Sequence, residues 1–168
     1  MPIKDPRLYI LSGLPGTGKT TMAQRMARQL KAMHLRIDTI EQGLRDLCHL
    51  EVAGEGYRLA YRIAKDNLRL GLSVIADSVN PWKLTREEWQ AVAGDVGAAF
   101  VQIEMICSDK REHRRRIEAR ESDIPGLELP AWKDVVGRDY HEWEGERVCL
   151  DTAGKSIEDA FGELLRLL

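Results

Sequence analysis

The feature that most constrains the fold is a glycine-rich segment near the N-terminus, Gly13-Leu14-Pro15-Gly16-Thr17-Gly18-Lys19-Thr20. It matches the pattern G-x-x-x-x-G-K-[ST] at every fixed position, and such a segment cradles phosphate groups when it joins a strand to a helix. An apolar run over residues 7–12 precedes it, and Met22, Met26 and Leu30 follow it at helical spacing. The pattern therefore predicts a strand, a phosphate-binding loop (P-loop) and a helix, with ATP or GTP as the ligand.

Beyond this loop, short apolar runs alternate with amphipathic stretches. Strands are predicted over residues 35–39, 72–76, 100–107 and 147–150, and helices over residues 40–50, 55–70, 85–96, 109–121, 135–143 and 156–168, with a loop over 122–133. This alternation predicts an α/β fold of three layers, a parallel five-stranded sheet with helices on both faces. The loops that follow the strands should then meet at one edge of the sheet, where ligands bind.

Length and composition place limits on the class of protein. The chain has 168 residues and a formal net charge of −2, which suits one domain over residues 1–168 and argues against a protein that coats duplex nucleic acid. Three scattered cysteines without a C-x-x-C pair are typical of buried thiols in a reducing compartment. No run of about twenty apolar residues is present. We expect a cytoplasmic protein with no membrane segment, as a monomer or homodimer.

The P-loop residues and one carboxylate form the predicted phosphate and metal site. Lys19 should bridge the β- and γ-phosphates, and the Thr20 hydroxyl should bind Mg²⁺. Asp77 ends an apolar strand, where its carboxylate can also face Mg²⁺; the alternative is a turn residue before Asn80-Pro81. The other residues predicted to bind the nucleotide here are Gly13, Pro15, Gly16, Thr17, Gly18 and Thr21.

A second set of residues is predicted to act on the acceptor and on the transferred group. Asp38, at the end of the second predicted strand, can orient an acceptor hydroxyl and take up its proton; alternatively it caps the following helix. Arg116 and Arg120 lie four residues apart on one predicted helix face and can neutralise a transferring phosphoryl group. The alternative is a solvated helix with Glu–Arg pairs.

Beyond the third predicted strand, Asn80 and Arg86 are the residues predicted to bind the acceptor, together with the indole of Trp82. Turn chemistry for Asn80 and surface packing for Trp82 are the alternatives.

At these positions the chain resembles small P-loop kinases of the AAA_33 type, a group that includes chloramphenicol phosphotransferase, gluconate kinase, polynucleotide kinase domains and zeta toxins. The resemblance rests on the P-loop, Asp38, residues 77–80 with Arg86 and Trp89 downstream, residues 107–109, and the Arg116…Arg120 pair. It implies a nucleoside-kinase-like fold with an arginine-bearing lid over about residues 109–133. It also implies ATP and Mg²⁺, Asp38 as base, and the loop with Thr152 beside the adenine.

Three functions are consistent with these residues. The first is a kinase that phosphorylates a hydroxyl of a small molecule. The second is a kinase acting on a nucleic-acid 5′-hydroxyl or a tRNA, for which the run Arg114-Arg115-Arg116 is the support. The third is a nucleotide-dependent switch or a toxin-like protein. The motifs leave open the acceptor, the choice between ATP and GTP, and whether Asp77 contacts metal or substrate.

Overall fold

The computed structural model describes residues 5–168, so residues 1–4 of the predicted domain lie outside the described part. Five strands and seven helices follow one another in the order β1 (Arg7–Ser12), α1 (Lys19–Leu30), β2 (Met33–Arg36), α2 (Ile37–Cys48), α3 (Glu55–Arg69), β3 (Val74–Asp77), α4 (Lys83–Gly94), β4 (Ala99–Ile106), α5 (Lys110–Glu118), α6 (Trp132–Val136), β5 (Val148–Asp151) and α7 (Ile157–Leu167).

The strands form one sheet in the order β2-β3-β1-β4-β5, and every neighbouring pair is parallel. The predicted five-stranded parallel sheet is therefore confirmed. In the register of the sheet, Leu11 of β1 lies beside Asp77 of β3 on one side and Ile103 of β4 on the other. The end of β1, from which the P-loop leaves, thus lies next to the carboxylate that ends β3.

The two faces of the sheet carry separate apolar cores. Leu8 and Ile10 of β1 pack with residues of α3 and α4, including the fully buried Trp89. Tyr9 and Leu11 point to the opposite face and pack with residues of α1 and α7. Because side chains alternate along a strand, the apolar run of β1 contributes to both cores, as expected for a parallel strand buried on both faces. The predicted three layers are present.

The largest difference from the predicted elements concerns Asp38. Its predicted position at the end of a strand over residues 35–39 is wrong, because β2 ends at Arg36 and α2 begins at Ile37. Ile37 and Ile40, three residues apart, both pack on the core below, and this helical spacing prevails over the strand preference of β-branched residues. Asp38 therefore lies in the first turn of α2, where a carboxylate stabilises the positive end of the helix dipole.

Other element boundaries also differ. The predicted helix over residues 85–96 starts two residues earlier than expected, since α4 begins at Lys83 and the Thr85 hydroxyl donates to the Trp82 carbonyl at 2.8 Å. The predicted helix over residues 135–143 is replaced by the five-residue α6, and β3 begins two residues later than predicted.

The cysteines, predicted to be buried, differ from one another: Cys48 and Cys149 are exposed. Within residues 5–168, no helix has the length and apolarity needed to cross a bilayer.

Candidate active site

The P-loop leaves β1 in a backbone conformation that depends on glycine. Gly13 has φ +136°, and a Cβ there would lie 2.2 Å from the Met105 carbonyl oxygen of β4. The Gly13 amide donates to the Val79 carbonyl at 3.0 Å, which joins the loop to the segment after β3. The Thr17 hydroxyl donates to the Leu14 carbonyl at 2.9 Å, so the loop is also closed internally. These contacts hold the backbone in the curved form that binds anions.

Helix α5 packs directly on the P-loop. The buried His113 donates from Nε2 to the Pro15 carbonyl at 2.7 Å, and its ring meets that of Trp132 edge-on with centroids 5.2 Å apart. A Cβ at Gly16 would lie 2.6 Å from the Ile117 Cδ1 atom. Gly16 therefore allows the loop and this helix to approach one another closely, and the start of the predicted lid contacts the phosphate site.

A cavity of about 480 Å³ opens at this loop, at the carboxyl edge of the sheet. Most of the predicted site residues line it: Pro15, Gly16, Gly18, Lys19, Thr20, Thr21, Asp38, Asp77, Arg116 and Arg120. Gly13 and Thr17 do not line this cavity and instead support the loop from behind. A smaller cavity of about 240 Å³ shares Gly16, Gly18, Thr21 and Arg116 with the first and includes Thr152.

Lys19 provides the positive charge in the floor of the larger cavity. Its side chain is only 8% exposed, and its Nζ donates to the Leu14 carbonyl at 2.9 Å. Burial lowers the pKa of Lys19 from 10.5 to about 8; attraction to Asp77 and Asp38 opposes the shift, and repulsion from Arg120 adds to it. Lys19 is therefore a cation with an unfavourable solvation energy, which bound phosphate oxygens would relieve.

Asp77 and Thr20 are the residues whose chemistry fits a magnesium ion. Asp77 is 3% exposed, and its Oδ2 lies 3.1 Å from His34 Nε2 on the neighbouring strand. Thr20 lines the same cavity from the first turn of α1. A hydroxyl, a carboxylate and phosphate oxygens are the hard ligands that Mg²⁺ takes in P-loop proteins. Within residues 5–168 there is no cluster of three or more metal-binding side chains.

Asp38 lies on a wall that two cavities share. The second cavity, of about 500 Å³, is bounded by α2, α3 and the start of α4, and it has Asp38, Glu41, Val79 and Arg138 in common with the first. Asp38 is half-buried, and within the described chain its carboxylate forms no hydrogen bond or ion pair with another side chain. It can therefore contact groups in either cavity.

Arg116 is held in place by Glu112 of its own helix and by the loop after β5. It donates to Thr152 Oγ1 at 2.8 Å, to the Thr152 carbonyl at 2.9 Å and to Glu112 at 2.5 Å. Glu112 also accepts from the Gly154 amide at 2.8 Å, and this hydrogen bond lowers the pKa of Glu112. The Thr152 hydroxyl lies 3.1 Å from the Thr17 carbonyl. Arg116 therefore connects α5 to the loop after β5 and, through Thr152, to the P-loop. It lies where the 480 Å³ cavity meets the 240 Å³ cavity.

The predicted pairing of Arg116 with Arg120 on one helix face is wrong. Helix α5 ends at Glu118 with Ala119 as its cap, so Arg120 follows the helix instead of continuing its face. Arg120 nevertheless lines the 480 Å³ cavity and lies close enough to Lys19 to lower its pKa. The two arginines approach the phosphate site from separate positions.

Asn80 and Arg86, predicted to bind the acceptor, have structural contacts instead. Asn80 is fully buried; its amide donates to the Leu11 carbonyl and to Ser12 Oγ and accepts from the Trp89 indole. Arg86 is 4% exposed and donates to the carbonyls of residues 80, 81, 141 and 142. Neither side chain lines either large cavity. They attach the segment after β3 to β1 and to residues 141–142.

Sequence reasoning missed three residues of the site. Glu41 and Arg138 line both large cavities, and His34 contacts Asp77. Glu41 could have been found from its spacing of three residues from Asp38 if α2 had been predicted to start at Ile37. Arg138 follows the short α6 in a segment without periodicity, so no local pattern indicates it.

Comparisons with known proteins show the family and the fold of the chain. The sequence profile of the AAA_33 family, described as an AAA domain, matches residues 8–136. A probable adenylyl-sulfate kinase of Aeropyrum pernix is 28% identical over 165 residues, covering 94% of this chain and 90% of that protein. The APS kinase of Mycobacterium tuberculosis, solved with AMPPNP and APS, superposes with a TM-score of 0.70 at 19% identity over 97% of both chains. A putative kinase from Chloroflexus aurantiacus superposes with a TM-score of 0.72 at 21% identity over 98% of this chain and all of that one.

Proposed function

The chain belongs to the AAA_33 family, and on that premise we propose that it transfers the γ-phosphate of ATP to a hydroxyl group of a small-molecule acceptor. The observation that carries the proposal is the position of Asp38 on the wall shared by the phosphate cavity and a second cavity of similar volume. A carboxylate at such a junction can contact an acceptor hydroxyl while that hydroxyl faces the γ-phosphorus.

Each step of the proposed phosphoryl transfer is assigned to charged groups that line the two large cavities. Lys19 and the arginines that line the phosphate cavity bind the β- and γ-phosphates and neutralise charge on the transferring group. The acceptor oxygen forms a bond to the γ-phosphorus, the bond from that phosphorus to the β–γ bridging oxygen breaks, and ADP leaves. Asp38 orients the hydroxyl and takes up its proton. Mg²⁺, held by Thr20 and Asp77, would supply positive charge to the phosphate oxygens.

The arginine run does not favour a nucleic-acid acceptor. Arg114 pairs with Glu118 at 2.7 Å, and Arg116 lines the phosphate cavity and donates to Thr152, so two of its three guanidinium groups are not free for a nucleic-acid groove. A nucleic-acid groove needs cations that are free to neutralise successive phosphates. This supports a small acceptor, and a 500 Å³ cavity has the volume for one.

The experiment that tests the proposal compares Asp38→Asn with the wild type. We expect the variant to bind ATP with nearly unchanged affinity and to lose transfer by a factor of roughly 10²–10⁴, because general-base catalysis contributes about that much. ATP consumption above a no-acceptor control, with mass spectrometry of the product, measures transfer. The same assay with GTP determines the donor preference.

Asp46→Asn is the matched control, because Asp46 lies on the same helix, is exposed and lines neither large cavity. Transfer by this control should equal that of the wild type. Full transfer by Asp38→Asn would disprove the role of Asp38. ATP hydrolysis that no acceptor of any kind increases would contradict the transfer reaction itself.

A further inference from the structure

The cavity beside Asp38 has an excess of acidic groups. Four carboxylates and two guanidinium groups line it: Asp38, Glu41, Glu88, Asp139, Arg58 and Arg138. Of the two cations, Arg138 also lines the phosphate cavity and lowers the pKa of Lys19 by repulsion, so phosphate groups will contact it. Arg58 is exposed at the surface of α3. Asp139 is exposed as well and lies 3.5 Å from His141. The half-buried charged groups of this cavity are therefore Asp38, Glu41 and Glu88, and all three are carboxylates.

Glu41 is the carboxylate that the fold holds most firmly in this wall. Its side chain crosses the backbone of α3 at Gly56, where a Cβ would lie 2.3 Å from Glu41 Cγ and 3.0 Å from its Oε1. Among residues 5–168 its carboxylate forms one ion pair, with Arg45 on the next turn of α2, at a distance of 3.4 Å. Burial raises the pKa of Glu41; Arg45 opposes the shift and repulsion from Asp38 adds to it. A bound cation would offset this cost, whereas a bound anion would increase it.

Aromatic side chains form another part of the same cavity. Tyr57 of α3 and Trp82 at the start of α4 both line it, and the indole of Trp82 is 47% exposed. The Trp82 Nε1 donates to Asp139 at 3.1 Å, which places a carboxylate at the edge of the ring. Aromatic faces together with carboxylates are the surroundings that bind organic ammonium groups.

From these contacts we propose that the acceptor is a hydroxylated organic cation, an amino sugar or amino alcohol whose ammonium group Glu41 binds while its hydroxyl faces Asp38. This inference rests on the proposed transfer reaction and specifies its substrate class. It also separates this chain from the solved relative that was crystallised with APS, because adenylyl sulfate is an anion and the acidic wall would repel it.

The test uses acceptors that share a carbon skeleton and differ in charge. Glucosamine, glucose and gluconate form one set, and an amino alcohol, a diol and a hydroxy acid form another; adenylyl sulfate is tested beside them. With ATP as donor, we expect kcat/KM to be at least about tenfold higher for the ammonium member of each productive set, because hydrogen bonds to charged groups are the stronger ones. A higher kcat/KM for the neutral or anionic member would overturn the proposal.

Two variants test Glu41 in different ways. Glu41→Gln removes the charge and should raise KM for the cationic acceptor on the order of tenfold more than it raises KM for a neutral acceptor. Gly56→Ala keeps the carboxylate but displaces it and should act in the same direction. The control is Glu51→Gln, an exposed glutamate that lines neither cavity. An equal loss for cationic and neutral acceptors would contradict the role of Glu41, provided that thermal denaturation shows all variants folded.

Failure of this inference and failure of the transfer reaction give different results. If an anionic acceptor is phosphorylated and Asp38→Asn abolishes that activity, the transfer reaction stands and the proposed substrate class is wrong. If no compound of any charge class increases ATP consumption or yields a phosphorylated product, both proposals are wrong.

Discussion

Nucleotide affinity should fall above pH 8, because Lys19, the lysine proposed to bind phosphate, then loses its proton. Lys19 is 8% exposed, and burial lowers its pKa from 10.5 to about 8. The phosphates of ATP bind the charged ammonium form. Below pH 8 this form predominates and affinity should be constant, whereas above pH 8 each binding event must first take up a proton.

The size of the effect follows from this pKa. At about pH 9, one unit above the pKa, roughly one Lys19 in ten is protonated, so the apparent Kd should be about tenfold higher, or about 1.4 kcal/mol. The titration of Lys19 does not lower nucleotide affinity by unfolding the protein. The unfolded chain keeps its lysine proton up to its ordinary pKa of 10.5, so the Lys19 contribution stabilises the folded protein progressively between pH 8 and pH 10.5.

Calorimetric titration with a nonhydrolysable ATP analogue between about pH 7 and about pH 9.5 measures the predicted change. Buffers that differ in ionisation enthalpy reveal the proton uptake directly. Lys19→Arg is the control, because a guanidinium group keeps its charge throughout this range and its Kd should be independent of pH. A constant Kd for the wild type, or an equal rise for Lys19→Arg, would refute the assignment of the pH dependence to Lys19.

Three further substitutions test the framework of the site. Gly13→Ala should lower the free energy of unfolding by about 2–3 kcal/mol and impair nucleotide binding, since φ is +136° and the new Cβ would overlap a backbone carbonyl. Asn80→Ala should lower it by about 2–4 kcal/mol in urea denaturation, because the buried Trp89 indole loses its acceptor. Arg116→Ala should weaken nucleotide binding several-fold in the same titration, because Arg116 no longer holds Thr152 beside the P-loop.

Each of these predictions has a result that contradicts it. Wild-type stability in Gly13→Ala or Asn80→Ala would mean that the strained backbone or the buried amide contributes little. For Arg116→Ala, the matched control is Arg114→Ala, whose side chain pairs with Glu118 and lines neither large cavity. Equal effects of the two substitutions would assign the loss to α5 in general instead of to the contact with Thr152.

The donor half of the site could be predicted because it is local in sequence. The P-loop is a run of eight residues whose function depends on its own backbone, and the strand before it and the helix after it have clear periodicity. The parallel sheet then brings Asp77 to the same edge, since connections in such sheets are right-handed. The predicted fold and the small P-loop kinase family are confirmed on this basis. The individual site roles stay predictions.

The acceptor half depends on contacts between distant residues. Asn80 and Arg86 have the polar groups of a binding site, but the fold uses them for carbonyls and hydroxyls at positions 11, 12, 141 and 142. Nothing in the segment around Arg86 indicates that residues 141–142 will lie against it. Arg138 likewise lines both large cavities only because the chain after α6 folds back against them, and no local pattern indicates this. Local patterns identify residue types that are suited to binding. They cannot determine which of these residues are already hydrogen-bonded to distant parts of the chain in the folded protein.

The register of α2 connects the two halves. A strand ending at Thr39 would place Asp38 alone at the sheet edge, with Glu41 inside a separate helix. Because the helix begins at Ile37, Asp38 and Glu41 lie three residues apart on adjacent turns of one face, and both line both cavities. A rigid helix therefore fixes the distance between the proposed base and the proposed ammonium-binding carboxylate. It follows that the acceptor's amine and reactive hydroxyl must be separated by a span that matches this spacing, so amino sugars that differ only in the position of the amine should differ in kcat/KM.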